Sequence, residues 1–247
     1  MSAAPVCGMK LSFLGTRGEI DKKTRRHRRH SALCVTQDRT RLLIDCGADW
    51  LGRITKLNAD AILLTHAHRD HAYGLSQGAP CPVYATRETW QLIGSYPIAD
   101  RRLIDERKPI EIGPLRVEAF AVEHSLRAPA VGYRISDGHK GFFYAPDVVA
   151  IPECSAALRG IDLYVGDGAT ITRPILRNRG GVLIGHTPIS TQLDWCREER
   201  VRSAIFTHCG SQIVGGDERV LGALVRRLGR ERHVAARIAH DGLSVEL

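Results

Sequence analysis

The sequence predicts an α/β fold in which two β-sheets face each other and helices cover both outer faces. Three observations predict it. Short strand-like runs come in two batches, with helical segments between and after them. The chain has 247 residues, 43% of them hydrophobic, which supports one sizeable core and a single domain over 1–247. No repeat of fixed period and no Gly/Ser/Pro-rich linker divides it.

The elements follow in order. Residues 9–14 read as a strand. Residues 32–36 and 41–45 are the arms of a hairpin around Gln37-Asp38-Arg39-Thr40, a polar turn. A short helix is expected over 49–56. The apolar run at 61–65 is a buried strand. Residues 86–93 are helical, with Pro97 beyond them. Short strands near 110–121, 131–136 and 140–145 are separated by Gly and Pro, and 161–165 is another strand. Residues 190–200 and 218–228 are helices, 204–207 is a strand, and strands at 235–238 and 243–245 follow.

Composition narrows the function. The net charge is +8, which favours anionic partners or substrates. Lys22-Lys23-Thr24-Arg25-Arg26-His27-Arg28-Arg29-His30 concentrates that charge. It reads either as a solvated loop or as a phosphate-attracting lip. No aromatic residue interleaves it, so a stacking platform is not indicated. A second basic stretch, Arg226 to Arg230, reads as the solvated end of a helix. The seven cysteines, Cys7, Cys34, Cys46, Cys81, Cys154, Cys196 and Cys209, are odd in number and form no Cys-x-x-Cys pair. They read as small buried hydrophobes in a reducing compartment. No apolar run reaches the roughly 20 residues of a membrane span. Residues 1–5 lack the charged and apolar regions of a secretory signal, so a cytoplasmic location is expected.

The densest chemistry lies in Thr65-His66-Ala67-His68-Arg69-Asp70-His71, directly after the apolar run Ala61-Ile62-Leu63-Leu64. Neutral imidazole and carboxylate are ligands for borderline divalent cations. One catalytic ion takes about three protein ligands, so the loop suits two ions, His66 and His68 on one and Asp70 and His71 on the other. Further donors stand at the ends of apolar runs: His124, Asp147 and His208.

With these residues in order, the chain resembles the metallo-β-lactamase-fold hydrolase superfamily, nearest its phosphodiesterase and ribonuclease Z-like branch. The resemblance runs from Leu11-Ser12-Phe13-Leu14-Gly15 to Asp241-Gly242-Leu243. Asp45, in Leu42-Leu43-Ile44-Asp45-Cys46-Gly47, matches the first motif and His66, His68, Asp70 and His71 the second. His124, Asp147 and His208 match the third to fifth. The resemblance implies a four-layer αβ/βα sandwich and two divalent ions, zinc or manganese, with iron as a further option. It implies His66, His68 and His124 on one ion, Asp70, His71 and His208 on the other, and Asp147 as the bridge. The family's oxygen-reducing diiron proteins carry Glu at the position of His68, so redox chemistry is not expected.

His186, in Gly185-His186-Thr187-Pro188, stands where phosphodiester-cleaving relatives carry a histidine that protonates the leaving oxygen. The following Thr-Pro-Ile-Ser is this chain's own variant, and a helix-capping or core histidine is the alternative. Asp70 and His186 are thus the candidate catalytic residues. Asp167 is a candidate to orient His186, and Asp45 to support the ligands from behind. Cys209 adjoins a ligand and is a weaker candidate for such support. Arg17, His30 and Arg134 are candidates for substrate contact, with ordinary salt bridges as the alternative for the two arginines. His27, His30, His139, His233 and His240 have no expected catalytic part, and His30 is kept as a substrate contact because it ends the basic loop next to a strand.

The expected activity is hydrolysis of a small or cyclic phosphodiester or of a nucleic-acid end. The alternative is a thioesterase or lactonase of the same fold, and a non-catalytic binding module is a third reading. Partners are then an anionic small molecule or short nucleic acid and no membrane, with a homodimer as one option for assembly. The tRNA-processing members of the family carry a long arm. Here only 38 residues separate Asp147 from His186, read as a helix-like stretch and one strand. A small substrate is therefore favoured over folded tRNA.

Overall fold

The computed structural model describes residues 8–247. The expectations for residues 1–5 and for Cys7 lie outside them. The first sheet holds β1 (Lys10–Gly15), β2 (Ala32–Gln37), β3 (Thr40–Ile44), β4 (Ala61–Leu63), β5 (Val83–Ala85), β6 (Arg101–Leu103) and β16 (Ser244–Glu246), in the order β16-β1-β2-β3-β4-β5-β6. The second holds β7 (Ile110–Ile112), β8 (Leu115–Val122), β9 (Ala130–Ser136), β10 (Gly141–Tyr144), β11 (Leu163–Asp167), β14 (Ser203–Thr207) and β15 (Ala235–Ile238), in the order β15-β14-β11-β10-β9-β8-β7. A separate hairpin pairs β12 (Ile175–Arg179) with β13 (Val182–His186).

Side-chain alternation explains the layers. On β3, Leu42 and Ile44 point between the sheets and Leu43 points outward. On β10, Phe142 and Tyr144 point inward and Phe143 outward. Both faces of these strands are apolar, so both must be covered. Outside the first sheet lie Trp50, Ile54, Leu75 and Ile93, from two 3-10 turns and from α1 (Arg69–Ala72), α2 (Arg87–Leu92) and the turn between them. Outside the second lie α3 (Cys154–Leu158), α4 (Ile189–Glu198), α5 (Ser211–Gly215) and α6 (Glu218–Arg230). Four layers result, as expected. Among the described residues no helix is long and apolar enough to cross a membrane.

Several expectations change. The helix expected over 49–56 is two 3-10 turns, Ala48–Trp50 and Ile54–Leu57, because Leu51 turns extended (φ −54°, ψ 128°). Trp50 and Ile54 then enter the outer core separately. Strands β5 and β6 are not among the expected elements: each has three residues, and β6 is exposed throughout and carries no apolar pattern. The stretch between Asp147 and His186 is more than a helix and one strand. It holds α3, β11, and the projecting β12–β13 hairpin.

Parallel pairing sets where the site forms. β3, β4, β5 and β6 run parallel, as do β10, β11, β14 and β15. Parallel strands end together, and their carboxyl ends are where α/β sheets place ligands. Asp45 follows β3, His66 follows β4, Asp147 follows β10, Asp167 ends β11 and His208 follows β14.

Candidate metal centre

Seven donors converge at those strand ends. The ligand atoms of His66, His68 and His124 form one group, and those of Asp70, His71, Asp147 and His208 another, each within 4.8 Å of one another. In the first group His66 Nε2 and His124 Nε2 lie 2.9 and 3.2 Å from His68 Nδ1. Burial, with neighbouring imidazoles adding to it, lowers the pKa of all three, that of His68 to about 4. They are therefore neutral, with lone pairs available to a cation.

In the second group His71 Nε2 lies 2.7 Å from Asp147 Oδ2, and His208 Nδ1 lies 2.9 Å from Asp147 Oδ1. Yet His71 Nε2, His208 Nδ1 and Asp147 Oδ1 are buried without a hydrogen-bond partner. Buried polar atoms that approach so closely without hydrogen-bond alignment are costly. Such a set of nitrogen and carboxylate donors fits a divalent cation.

Groups behind the donors set which ring nitrogen faces inward. Asp45 is fully buried. Its Oδ2 lies 2.8 Å from His71 Nδ1, and its Oδ1 accepts from the Thr65 amide at 2.8 Å. The Thr65 hydroxyl lies 3.0 Å from His66 Nδ1. His124 Nδ1 donates to the Gly185 carbonyl at 3.0 Å. These bonds turn Nε2 of all three imidazoles toward the site. Asp45 and His208 both adopt left-handed backbone, φ 63° and 51°, a strain concentrated where donors must be aimed.

His186 stands beside this set. Its Nδ1 lies 2.8 Å from Asp167 Oδ2, and its ring stacks on His208 with centroids 5.6 Å apart. Burial opposes the imidazolium, but Asp167 and Asp147 outweigh burial and raise its pKa. Asp167 is locked in turn: its side chain accepts from the Val148 and Ala169 amides.

Gln192 was not anticipated. Its Oε1 accepts from Tyr164 Oη (2.9 Å) and the Asp167 amide (2.8 Å), and its Nε2 donates to the Asp167 carbonyl at 2.8 Å. The signal was present: Gln192 interrupts the apolar stripe Ile189, Leu193, Cys196 of α4 at helical spacing.

A cleft of about 580 Å³ opens over the site, lined among others by Gly18, Glu19, Arg69, Ile175 and Ser211. Arg69 supplies the guanidinium among its lining residues and is not among the expected substrate contacts. Its guanidinium lies 5.0 Å over the Tyr73 ring.

The three expected substrate contacts stand elsewhere. Arg17 is buried and paired to Asp49 at 2.6 Å. His30 Nδ1 is 2.9 Å from the same carboxylate. Arg134 donates to the carbonyls of Ala156 and Arg159 at 2.8 Å, across the outer face of the second sheet. None of them lines the cleft. Arginine beside a strand end looked available in sequence, but the nearest acceptors are internal. Cys209 Sγ turns toward the Ala239 carbonyl at 4.0 Å, not toward a donor.

Comparison with known proteins bears on the family and the fold. Residues 40–209 match the family model described as the beta-lactamase superfamily domain. A ribonuclease Z of Methanopyrus kandleri is 35% identical over 142 residues, 51% of this chain and 49% of that protein. The exodeoxyribonuclease WalJ of Streptococcus pneumoniae is 29% identical over 136 residues, 48% of this chain and 50% of that one. The chain thus spans about half the length of these curated relatives. The metallo-β-lactamase fold protein YhfI of Bacillus subtilis superposes with a TM-score of 0.76 at 18% identity, covering 98% of this chain and 100% of YhfI. At that identity the likeness speaks for the fold alone. On the family match over residues 40–209 and the four-layer sandwich, the chain belongs to the beta-lactamase superfamily and has the metallo-β-lactamase fold.

Proposed function

We propose that the chain is a metal-dependent hydrolase of phosphodiesters, acting on a small or cyclic diester or on a nucleic-acid end. One observation carries the reading: an imidazole held by a buried carboxylate, His186 on Asp167 at 2.8 Å, lines the same cleft as the donors His68, Asp70, His124, Asp147 and His208. The nucleic-acid-cleaving relatives support it, as does the net charge of +8.

In this reading His66, His68 and His124 would hold one divalent ion and Asp70, His71 and His208 a second, with Asp147 as a further donor. Bound there, such ions acidify water and polarise a phosphoryl oxygen. The chain's own residues supply the rest. Asp70 orients the attacking water. Asp167 occupies His186 Nδ1, so Nε2 carries the proton into the cleft and gives it to the departing oxygen. Asp147, 3.4 Å from His186 Nδ1, adds to the field that favours the imidazolium. Arg69 is placed to meet a non-bridging phosphoryl oxygen. Gln192 holds the Asp167 backbone and so the pose of His186.

The test is hydrolysis of bis(p-nitrophenyl) phosphate and of an alkyl-leaving-group diester, with protein reconstituted in Mn²⁺ or Zn²⁺. His186→Ala should lower kcat on the alkyl ester by about 10²–10⁴. It should lower turnover of the nitrophenyl ester less, because that leaving group needs little protonation. Protein that retains two ions by elemental analysis yet turns over neither ester sinks the reading.

A further inference from the structure

The β12–β13 hairpin contributes little to the core. β12 is exposed throughout, as are Val182 and Leu183 of β13. Its turn is Gly180-Gly181, both at positive φ (60° and 86°), the conformation that two-residue hairpin loops require. Its root is clamped to the candidate metal centre. The Gly185 amide donates to the His124 carbonyl at 2.9 Å, while its own carbonyl accepts from His124 Nδ1. A Cβ at Gly185 would lie 2.0 Å from the Ile175 carbonyl oxygen, so only glycine allows this approach.

The register sorts the side chains. Ile175 pairs with His186, Arg177 with Ile184, and Arg179 with Val182. Directly paired residues of an antiparallel ribbon share a face. That face begins in the cleft, where Ile175 and His186 are both lining residues. It ends at a shallow hollow, where Arg179 and Ile184 meet Arg127 and its neighbours. A continuous surface therefore runs outward from His186 with Arg177 and Arg179 along it. Two residues of a strand advance roughly 6.6 Å, comparable to one phosphate-to-phosphate step of an extended single strand. No Asp or Glu occurs between Asp167 and Asp194. Among the described residues no carboxylate pairs with Arg127, Arg177 or Arg179.

We propose that this face is a track for a single-stranded nucleic acid whose scissile phosphate lies in the cleft. Arg177, Arg179 and Arg127 hold successive phosphates beyond the cut, and Ile175, Ile184 and Val182 lie against sugars and bases. Charge favours this occupant over a second copy of the same face, since two arginine-bearing faces repel. The inference rests on the phosphodiesterase reading and names its substrate class.

The experiment compares wild type, Arg177→Glu/Arg179→Glu and Arg177→Lys/Arg179→Lys. Each is assayed on bis(p-nitrophenyl) phosphate and on matched short DNA and RNA homopolymers. Binding of the same oligonucleotides to metal-free protein is followed by fluorescence anisotropy. The expected result is turnover of the aryl ester near wild type with oligonucleotide kcat/KM and affinity down at least about tenfold in the Glu variant. The Lys variant should recover most of the affinity. Two lost phosphate contacts should also flatten the salt dependence of log affinity by about 1.4. The DNA and RNA arms report which polymer the track prefers. Oligonucleotide affinity and salt dependence unchanged in the Glu variant would overturn the proposal. So would equal loss on both substrates that Lys does not restore, or conversion of a dimer to a monomer with affinity unchanged. If no protein hydrolyses any diester, the parent reading fails, and the anisotropy measurement still decides the track.

Discussion

Two arginine-bearing segments, 22–30 and the β12–β13 hairpin, differ in what their charges meet. In the segment 22–30, Lys23 pairs with Asp49, Arg26 with Glu218, and Arg29 lies over Trp50. The backbone is tied as well, with the Arg28 and Arg29 amides donating to Asp241. Lys22, Arg25 and Arg28 remain outside the lining of the cleft. In the β12–β13 hairpin the arginines meet no carboxylate among the described residues, and the segment ends at His186. The denser charge run has half of its cations tied to the fold and none lining the cleft, while the sparser one is joined directly to the site through His186. Charge density along a sequence therefore does not measure the charge a ligand can use.

The sharpest way to break this comparison is Asp49→Ala. Asp49 meets Arg17, Lys23 and the His30 ring and amide at once. Arg17 is 1% exposed, so its guanidinium would be left buried without its carboxylate. A loss of about 3 kcal/mol is expected by urea unfolding. A loss below about 1 kcal/mol would mean that the segment is held by other contacts.

A smaller effect is expected at Asp241, which also accepts from the Thr16 amide and hydroxyl at 3.0 and 2.8 Å. Asp241→Asn keeps one acceptor and should cost about 1–2 kcal/mol. A neutral result would show that the turn at 24–29 is self-supporting.

The pH response should separate the two segments again. Burial, aided by nearby arginine, lowers His27 and His30 to about 4. Both stay neutral in the fold and take up protons on unfolding between pH 6.5 and 4. Their contribution to stability is present above 6.5 and is lost as pH falls through that window. His27→Gln should flatten the acid limb of unfolding measured on metal-free protein. An unchanged limb would assign it to other groups.

The smallest effect is the sharpening control. Arg177→Ala should change unfolding free energy by less than about 0.5 kcal/mol, because it leaves no buried partner behind. Arg25→Glu should leave oligonucleotide affinity unaltered while the hairpin variants do not. If Arg25→Glu weakens binding as much as the hairpin variants, the segment 22–30 is part of the substrate surface after all.

Much of the fold is legible in the sequence. The alternation in Leu42-Leu43-Ile44 and Phe142-Phe143-Tyr144 marks strands covered on both faces, and the sandwich follows. The histidine motif marks its residues as candidate donors, because metal-ligand residue types at such density have few other uses. The hairpin was missed because its strands, Ile175–Arg179 and Val182–His186, bury no face and so leave no periodic signature. Gln192 was visible only as a polar break in an apolar stripe.

The sequence by itself determined which chemical groups the site can contain and which strands carry them, since residue type and local periodicity are local properties. Tertiary structure decided which charges are available. Whether Arg17 meets Asp49 or a phosphate, and whether Arg177 meets a carboxylate or solvent, depends on partners distant in the chain. Pairing between charges falls off with distance in space, not along the sequence.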